Sequence, residues 1–291
     1  MAGTARGRRL LELNAAVLLW GITALFAKTI PLGAGPITFY RSLAAGLAIL
    51  VVLVLARRRV RLRRADWPGV AVSGILLALH WVTYFHAIQV SSVAVGVISL
   101  HTYPIVTALL EPPLFGRRVR GQDVLLALIV AAGVAILVPG FRLDQAGTTH
   151  GVLWGMLSGV LVTLRNLVSR RYVNTYGGTA LTMWQVFAGA LVLAPLAFVG
   201  SGSMTPATGG SLVTLGVLFT ALPHAMFTRS LECLSVRTAS VIATLLPLYA
   251  VAFAALLIGE VPSMRTLVGG AVILGAVAYE SLRAIGTADV D

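Results

Sequence analysis

Apolar runs of about 20 residues, each long enough to cross a bilayer as a helix, follow one another along this chain. The run 122–138, for instance, carries one charged residue, Asp123. In lipid every backbone N–H and C=O needs an internal partner, which leaves only helices or a closed barrel. The runs are apolar on all sides and do not alternate, so they read as helices. Composition agrees: 58% of the 291 residues are hydrophobic and 11% charged, too few charges to clothe a soluble domain. The expected fold class is an all-α integral membrane protein.

Ten spans are expected, at 11–28, 36–56, 69–88, 92–111, 122–138, 150–170, 179–199, 211–232, 237–258 and 263–282. Pro112-Pro113 is expected to end the fourth and Pro139-Gly140 the fifth. The basic residues set the orientation. With a cytoplasmic N-terminus, sixteen of the 22 Lys and Arg fall on the cytoplasmic side, against Lys28, Arg142 and Arg265 outside. Arg41, Arg165 and Arg229 fall inside spans. This bias places both termini in the cytoplasm of a cell with a cytoplasmic (inner) membrane. Arg6, Arg8 and Arg9 precede the first run as in a signal peptide, but no cleavage pattern follows, so the run is read as a retained helix.

The chain repeats itself. Leu19-Trp20-Gly21 recurs as Leu153-Trp154-Gly155, and Thr38-Phe39-Tyr40-Arg41 resembles Thr182-Met183-Trp184-Gln185. Ala78-Leu79 matches Ala221-Leu222, and Tyr84 matches Phe227. Ser92, Pro104, Leu114 and Gly116 match Ser235, Pro247, Leu257 and Gly259. The shared order makes two units, residues 1–140 and 141–291, of five spans each. Five is odd, so the second unit enters the membrane inverted. Inverted repeats with a site near the midplane are a transporter architecture.

On these residues the chain resembles the drug/metabolite transporter superfamily, in particular its ten-helix EamA-type members. Its second copy keeps the Gly-Glu ending as Gly259-Glu260, whereas the first departs with Gly116-Arg117. The resemblance implies export of small metabolites, and the aromatic-rich third and fourth spans look most like YddG-type aromatic amino-acid exporters.

The candidate substrate-binding residues follow from depth and residue type. His80 and His101 lie near the centres of two spans joined by a short turn, where an ionisable ring is either bonded to a neighbour or lines a cavity. Tyr84 shares the His80 helix face, Ser73 lies near it, and Trp81 borders it. Ser99, His101 and Tyr103 supply polar groups from the fourth span. Trp20, Trp154, Tyr103 and Tyr249 are candidate aromatic walls, with core or lipid-facing packing as the plainer reading. His224, after Pro223, is placed on the opposite wall. Tyr40-Arg41 and Trp184-Gln185 are read as an outer and an inner gate, or else as interface anchors; Trp67 is read as an anchor. Pro104 and Pro247 are the candidate hinges. Arg165 is expected to snorkel to the inner surface. Gly151, Gly155 and Gly159 form a close-packing face. The first, third, fourth, sixth, eighth and ninth spans are expected to line the cavity, braced by the fifth and tenth.

Several function classes are disfavoured. The one lysine, Lys28, follows Ala27, so no Walker A Gly-Lys exists and ATP hydrolysis is not expected. No metal motif is seen, a single cysteine (Cys233) excludes an internal disulfide, and no cofactor is expected. The net charge of +12 follows the membrane loops and does not point to nucleic acid. None of the ten acids falls at a helix centre, which argues against antiport through a midplane carboxylate. The expected function is ATP-independent alternating access by a monomer in the lipid bilayer, exporting a small molecule such as an amino acid. Import or exchange of a sugar or nucleotide-sugar is the alternative. A membrane enzyme using His80 and His101 is the remaining one, though no nucleophile accompanies them.

Overall fold

The computed structural model describes residues 2–58, 60–114, 116, 118–138, 146–198, 203–230 and 242–286. Among these, the regular structure is helical throughout: no strand occurs. The helices are α1 (Ala2–Thr23), α2 (Phe26–Thr29), α3 (Ala34–Leu55), α4 (Trp67–Val90), α5 (Val93–Leu100), α6 (Tyr103–Leu114) and α7 (Gly121–Leu137). They continue with α8 (Ala146–Ser169), α9 (Val173–Tyr176), α10 (Gly178–Leu193), α11 (Pro206–Gly216), α12 (Leu222–Ser230), α13 (Leu246–Ile258) and α14 (Met264–Gly286). Seven helical stretches among the described residues are long and apolar enough to cross a membrane. These are Gly7–Thr29, Ala34–Leu55, Arg64–Val90, Val93–Leu114, Gly147–Ser169, Gly178–Phe198 and Pro206–Phe227; α7 and α13 are shorter apolar helices.

The boundaries depart from the sequence reading where local chemistry overrides hydropathy. Thr205 caps α11 by accepting the Thr208 N–H, with Pro206 in its first turn, so the helix starts before residue 211. The α8 helix begins at Ala146, ahead of 150. Pro112 and Pro113 lie inside the last turn of α6 and do not end it: their fixed φ suits a helix, and α6 runs on to Leu114 without the two N–H donors they remove. Residues 139 and 140, expected to close the fifth span, and 237–241 of the ninth lie outside the described residues.

Three expected spans are interrupted: Ala24 and Leu25 form a turn between α1 and α2 within the first, and the fourth and ninth are broken beside a proline. His101 and Thr102 form a turn between α5 and α6, and Pro104 is the second residue of α6. Thr244 and Leu245 form a turn after helical Ile242-Ala243, and Pro247 is the second residue of α13. Each proline therefore starts a helix instead of bending one, the place where its missing N–H costs least. A further irregularity is a π-helical turn, Val217–Ala221, between α11 and α12.

The bundle has two differently built ends. At the end holding Ser91, one buried cluster joins Leu25, Ile30 and Ile37 to Phe85, Ile88, Val93 and Val97 and to Leu212, Leu215 and Ala254. Polar ties support it. Lys28 Nζ donates to the Ser91 carbonyl at 2.7 Å, and the Gln89 amide to the Leu32 carbonyl at 2.8 Å. Gly259, at φ 68°, closes α13, with the Glu260 N–H returning to the Ala254 carbonyl at 3.0 Å. That turn brings the Glu260 carboxylate to the Val93 N–H at the start of α5. At the end holding Tyr176, the phenol donates to Asp66, and Arg63 Nε donates to Asp66 at 2.9 Å. Arg170 pairs with Glu111, and the Trp184 indole donates to the Val60 carbonyl at 2.7 Å. Here Leu13 and Val17 cluster with Phe227, Ile242 and Tyr249, separately from Leu62, Val70 and Leu181.

Candidate binding site in the helix bundle

Tight helix contacts position the central side chains. A Cβ built on Gly216 would lie 2.7 Å from the Arg41 carbonyl oxygen and 2.6 Å from Ala44 Cβ. One built on Gly74 would lie 2.6 Å from the Gln185 carbonyl oxygen and 2.8 Å from Ala188 Cβ. The absent side chains let α11 press on α3 and α4 press on α10. Arg41 and Gln185 are thereby set against their neighbours in the same manner.

Arg41 is 2% exposed. Its guanidinium carbon stands 4.2 Å from the centre of the Trp81 ring and 5.0 Å from that of Phe85. Nη2 donates to Thr220 Oγ1 at 2.9 Å, while Nε and Nη1 are buried without a partner. The Thr220 hydroxyl passes its own proton to the Leu215 carbonyl, five residues back, as the π turn allows. Trp81 meets the edge of His224 with ring centres 6.4 Å apart, and Trp20 meets it at 5.0 Å. Trp20 also lies 5.4 Å from Phe227. His224 Nδ1 donates to the Thr220 carbonyl at 2.7 Å. Arg41, Trp81, His224 and Trp20 thus form one chain of contacts across α3, α4, α12 and α1.

His80 joins α4 to α8. Its Nδ1 stands 2.7 Å from Ser158 Oγ, whose hydroxyl in turn donates to the His80 carbonyl at 2.8 Å. The Ser158 proton is therefore committed, so His80 Nδ1 carries a hydrogen and Nε2 is the acceptor nitrogen. The His80 ring stacks on Tyr84, 6.3 Å between centres and 14° between planes. His80 thus stands next to Trp81 on α4, beside the chain of contacts that Arg41, Trp81 and His224 make.

Gln185 is fully buried. Its amide nitrogen donates to Ser73 Oγ at 2.9 Å and Ser169 Oγ at 2.8 Å. Its oxygen accepts from Arg165 Nη2. Arg165 Nη1 reaches Asn166 at 3.0 Å, and Nε is buried without a partner. Snorkelling of Arg165 to the surface is therefore corrected: the Gln185 oxygen draws its guanidinium inward.

The remaining expected residues are distributed differently. His101 ends α5, its Nδ1 donates to the Val97 carbonyl at 2.7 Å, and its ring lies 6.0 Å from Tyr103. Ser99 is fully buried, with an unpartnered Oγ beside the glycine face of α8 at Gly155. Tyr249 packs with Trp20 around Leu13 and Val17, its Cβ against Gly21. Tyr40 meets Phe39 at 4.9 Å and packs on the Ser91-end cluster. Trp184 is spent on Val60 and on Trp67, 4.9 Å away. Trp154 is 38% exposed and meets His86 at 5.1 Å, apart from the central group. Its neighbour Gly155 faces the bundle, which turns the Trp154 ring toward the flank. The Arg229 side chain lies outside the described residues. Ser158, Phe85 and Thr220 were not singled out from the sequence; Ser158 had one signal, its place beside the packing face at Gly159. No group of three His, Cys, Asp or Glu suited to a metal occurs among the described residues.

Known proteins are similar to this chain over most of its length. A solved crystal structure superposes with a TM-score of 0.64 at 21% identity, covering 96% of this chain and 99% of the other, which shows a common fold. "Uncharacterized transporter YwfM" of Bacillus subtilis is 25% identical over 89% of this chain and 88% of its own. "Pseudopaline exporter CntI" of Pseudomonas aeruginosa is 27% identical over 86% of each. "Probable terminal-alkyne amino-acid exporter" of Streptantibioticus cattleyicolor is 24% identical over 87% and 86%. The EamA-like transporter family matches twice, at residues 10–138 and 149–281. The chain is a multi-pass membrane protein and belongs to the EamA-like transporter family.

Proposed function

We propose that this transporter exports small metabolites, amino acids including aromatic ones, across the cytoplasmic membrane by ATP-independent alternating access. The observation that carries this is the meeting of Arg41, Trp81, His224 and Trp20 inside an apolar bundle, on helices from both matched segments, with His80 next to Trp81 on α4. Ionisable groups at that depth are costly, and where they occur they mark substrate and ion pathways. The names of two relatives, an exporter of pseudopaline and an amino-acid exporter, favour outward movement of such solutes.

In this reading ten spans form two inverted halves, residues 1–140 and 141–291, with both termini cytoplasmic and the monomer as the working unit. The double family match and the like contacts of Gly216 on Arg41 and Gly74 on Gln185 support it. The Ser91 end is then the outer end. Its shared cluster and polar ties suit a state closed to the outside. His80, Trp81, Tyr84, Ser99, His101, Tyr103, Trp20, His224 and Tyr249 contact cargo in one state or another. Arg41 and Gln185 stand where cargo arrives and leaves.

Purified protein in liposomes, given a panel of amino acids and sugars in counterflow, tests this directly. Amino acids should exchange saturably, and His80→Ala or Trp81→Ala should lower the rate while leaving expression intact. Exchange of sugars alone would favour the importer or exchanger reading. A chemically altered product would favour an enzyme, and unchanged flux in both variants would remove the site.

A further inference from the structure

We infer that Arg41 and Arg165 are two carboxylate-binding stations for the cargo, placed at inversion-related points of the same interior. This rests on the transport reading above and narrows it, since it requires cargo that travels with an ionised carboxylate.

Arg41 has five N–H donors and one acceptor, Thr220. Whichever Nη2 hydrogen Thr220 takes, one complete two-donor edge is left: Nε with Nη2, or Nη1 with Nη2. Such an edge is the fork that a carboxylate fits with two parallel hydrogen bonds. Trp81 and Phe85 cover the cation without using those donors. No carboxylate pairs with Arg41 among the described residues. A buried, unpaired guanidinium is a heavy cost for a structural role alone, because the desolvation has no counter-charge to offset it. An anion that comes and goes supplies that charge.

Arg165 repeats the arrangement from the other side. Gln185 holds the place that Arg41 holds in the first half, against Gly74 as Arg41 is against Gly216. It carries no charge itself. Ser169 Oγ donates to the Arg165 carbonyl and Ser73 Oγ to the Val70 carbonyl, so both hydroxyls can only accept from the Gln185 amide nitrogen. The Gln185 oxygen is thus fixed toward Arg165, which is delivered with Nε still open. Each half of the repeat therefore presents one guanidinium with donors to spare. Arg41 is buried beside Phe85 of the Ser91-end cluster, while Arg165 is half-buried with its open Nε covered. The two stations are therefore covered to different depths, as a carrier that passes cargo between two sides requires.

The test is ligand-dependent thermal stability of the purified full chain in detergent, read by tryptophan fluorescence. The probes are the standard L-amino acids, their C-terminal amides and inorganic phosphate. At least one amino acid should raise the unfolding midpoint, and its amide, which lacks the charge but keeps amine and side chain, should not. Arg41→Gln should raise the midpoint without ligand, because it removes an unpaired charge. It should also weaken the effective amino acid by roughly thirtyfold or more, the loss expected when one partner of a desolvated ion pair is removed. Arg165→Gln should weaken it by about tenfold, and the double variant should not respond. An amide as effective as its acid, phosphate as effective as any acid, no response to any acid, or an unaltered double variant would each overturn the stations. The comparison of acid with amide needs no variant to fold. Saturable flux of acids and amides alike would sink the stations and leave transport standing; absence of all counterflow would sink transport itself.

Discussion

The buried amide of Gln185 shows how much rests on one neutral side chain. It satisfies Ser73 and Ser169 through its nitrogen and Arg165 through its oxygen, with no exposure. Gln185→Leu leaves a guanidinium and two hydroxyls short of a partner, so it should lower stability by about 3 kcal/mol. Thermal or denaturant unfolding in detergent would measure that, and a change within error would mean the network relaxes onto water. Ser158→Ala removes the nearer acceptor of His80 Nδ1 and leaves the Ser158 carbonyl at 3.1 Å, so it should cost about 0.5–1.5 kcal/mol on the same scale. The sequence already put Arg165 and Gln185 inside spans, and the Arg41–Gln185 correspondence was legible from Thr38–Arg41 and Thr182–Gln185. The partner was not legible. Depth along one helix says how far a guanidinium must reach for water, but not that a neighbouring helix offers an amide nearer by. Trp154 fails for the opposite reason: it repeats Trp20 in sequence, but the glycine beside it is what faces inward.

At the scale of the element, apolar length located the helices, and local chemistry decided where they start, break and slip. The His101-Thr102 and Thr244-Leu245 turns precede Pro104 and Pro247, so both prolines open a helix. Two prolines 143 residues apart could be seen in the sequence, while a turn in place of a kink could not, since proline permits either. The π turn Val217–Ala221 was hidden altogether. It inserts one residue, and the spacing of matched positions changes with it, from 142 between Gly74 and Gly216 to 143 between Ala78 and Ala221. Gly216→Ala drives a methyl into the Arg41 carbonyl and Ala44, and Gly74→Ala does the same at Gln185 and Ala188. Each should cost about 1–3 kcal/mol by overpacking. Similar losses in the two variants are expected from matched contacts. Loss in one alone, measured by unfolding midpoint, would argue that the two contacts are not equivalent.

For the whole molecule, the Ser91 end is held by an apolar cluster and by Glu260 on the Val93 N–H at the start of α5. A carboxylate on a helix N-terminus adds roughly 0.3–1 kcal/mol, more when partly buried. Glu260→Ala should therefore loosen this end. In a background with Cys233→Ser, a cysteine replacing fully buried Val97 should react faster with a membrane-impermeant thiol reagent once Glu260 is gone. An unchanged labelling rate would mean that the apolar cluster alone keeps the end shut. The overall architecture was legible earlier than any site, because long apolar runs leave a chain few alternatives, whereas a site depends on which faces meet. The central claim is that this bundle moves a small carboxylate-bearing solute without ATP. Counterflow in liposomes tests it most directly. Vesicles preloaded with an unlabelled amino acid should accumulate the labelled one saturably, faster than empty vesicles, with the rate cut at least about tenfold by Arg41→Gln. Uptake that rises linearly with concentration, ignores the preload and is the same in the variant would contradict it.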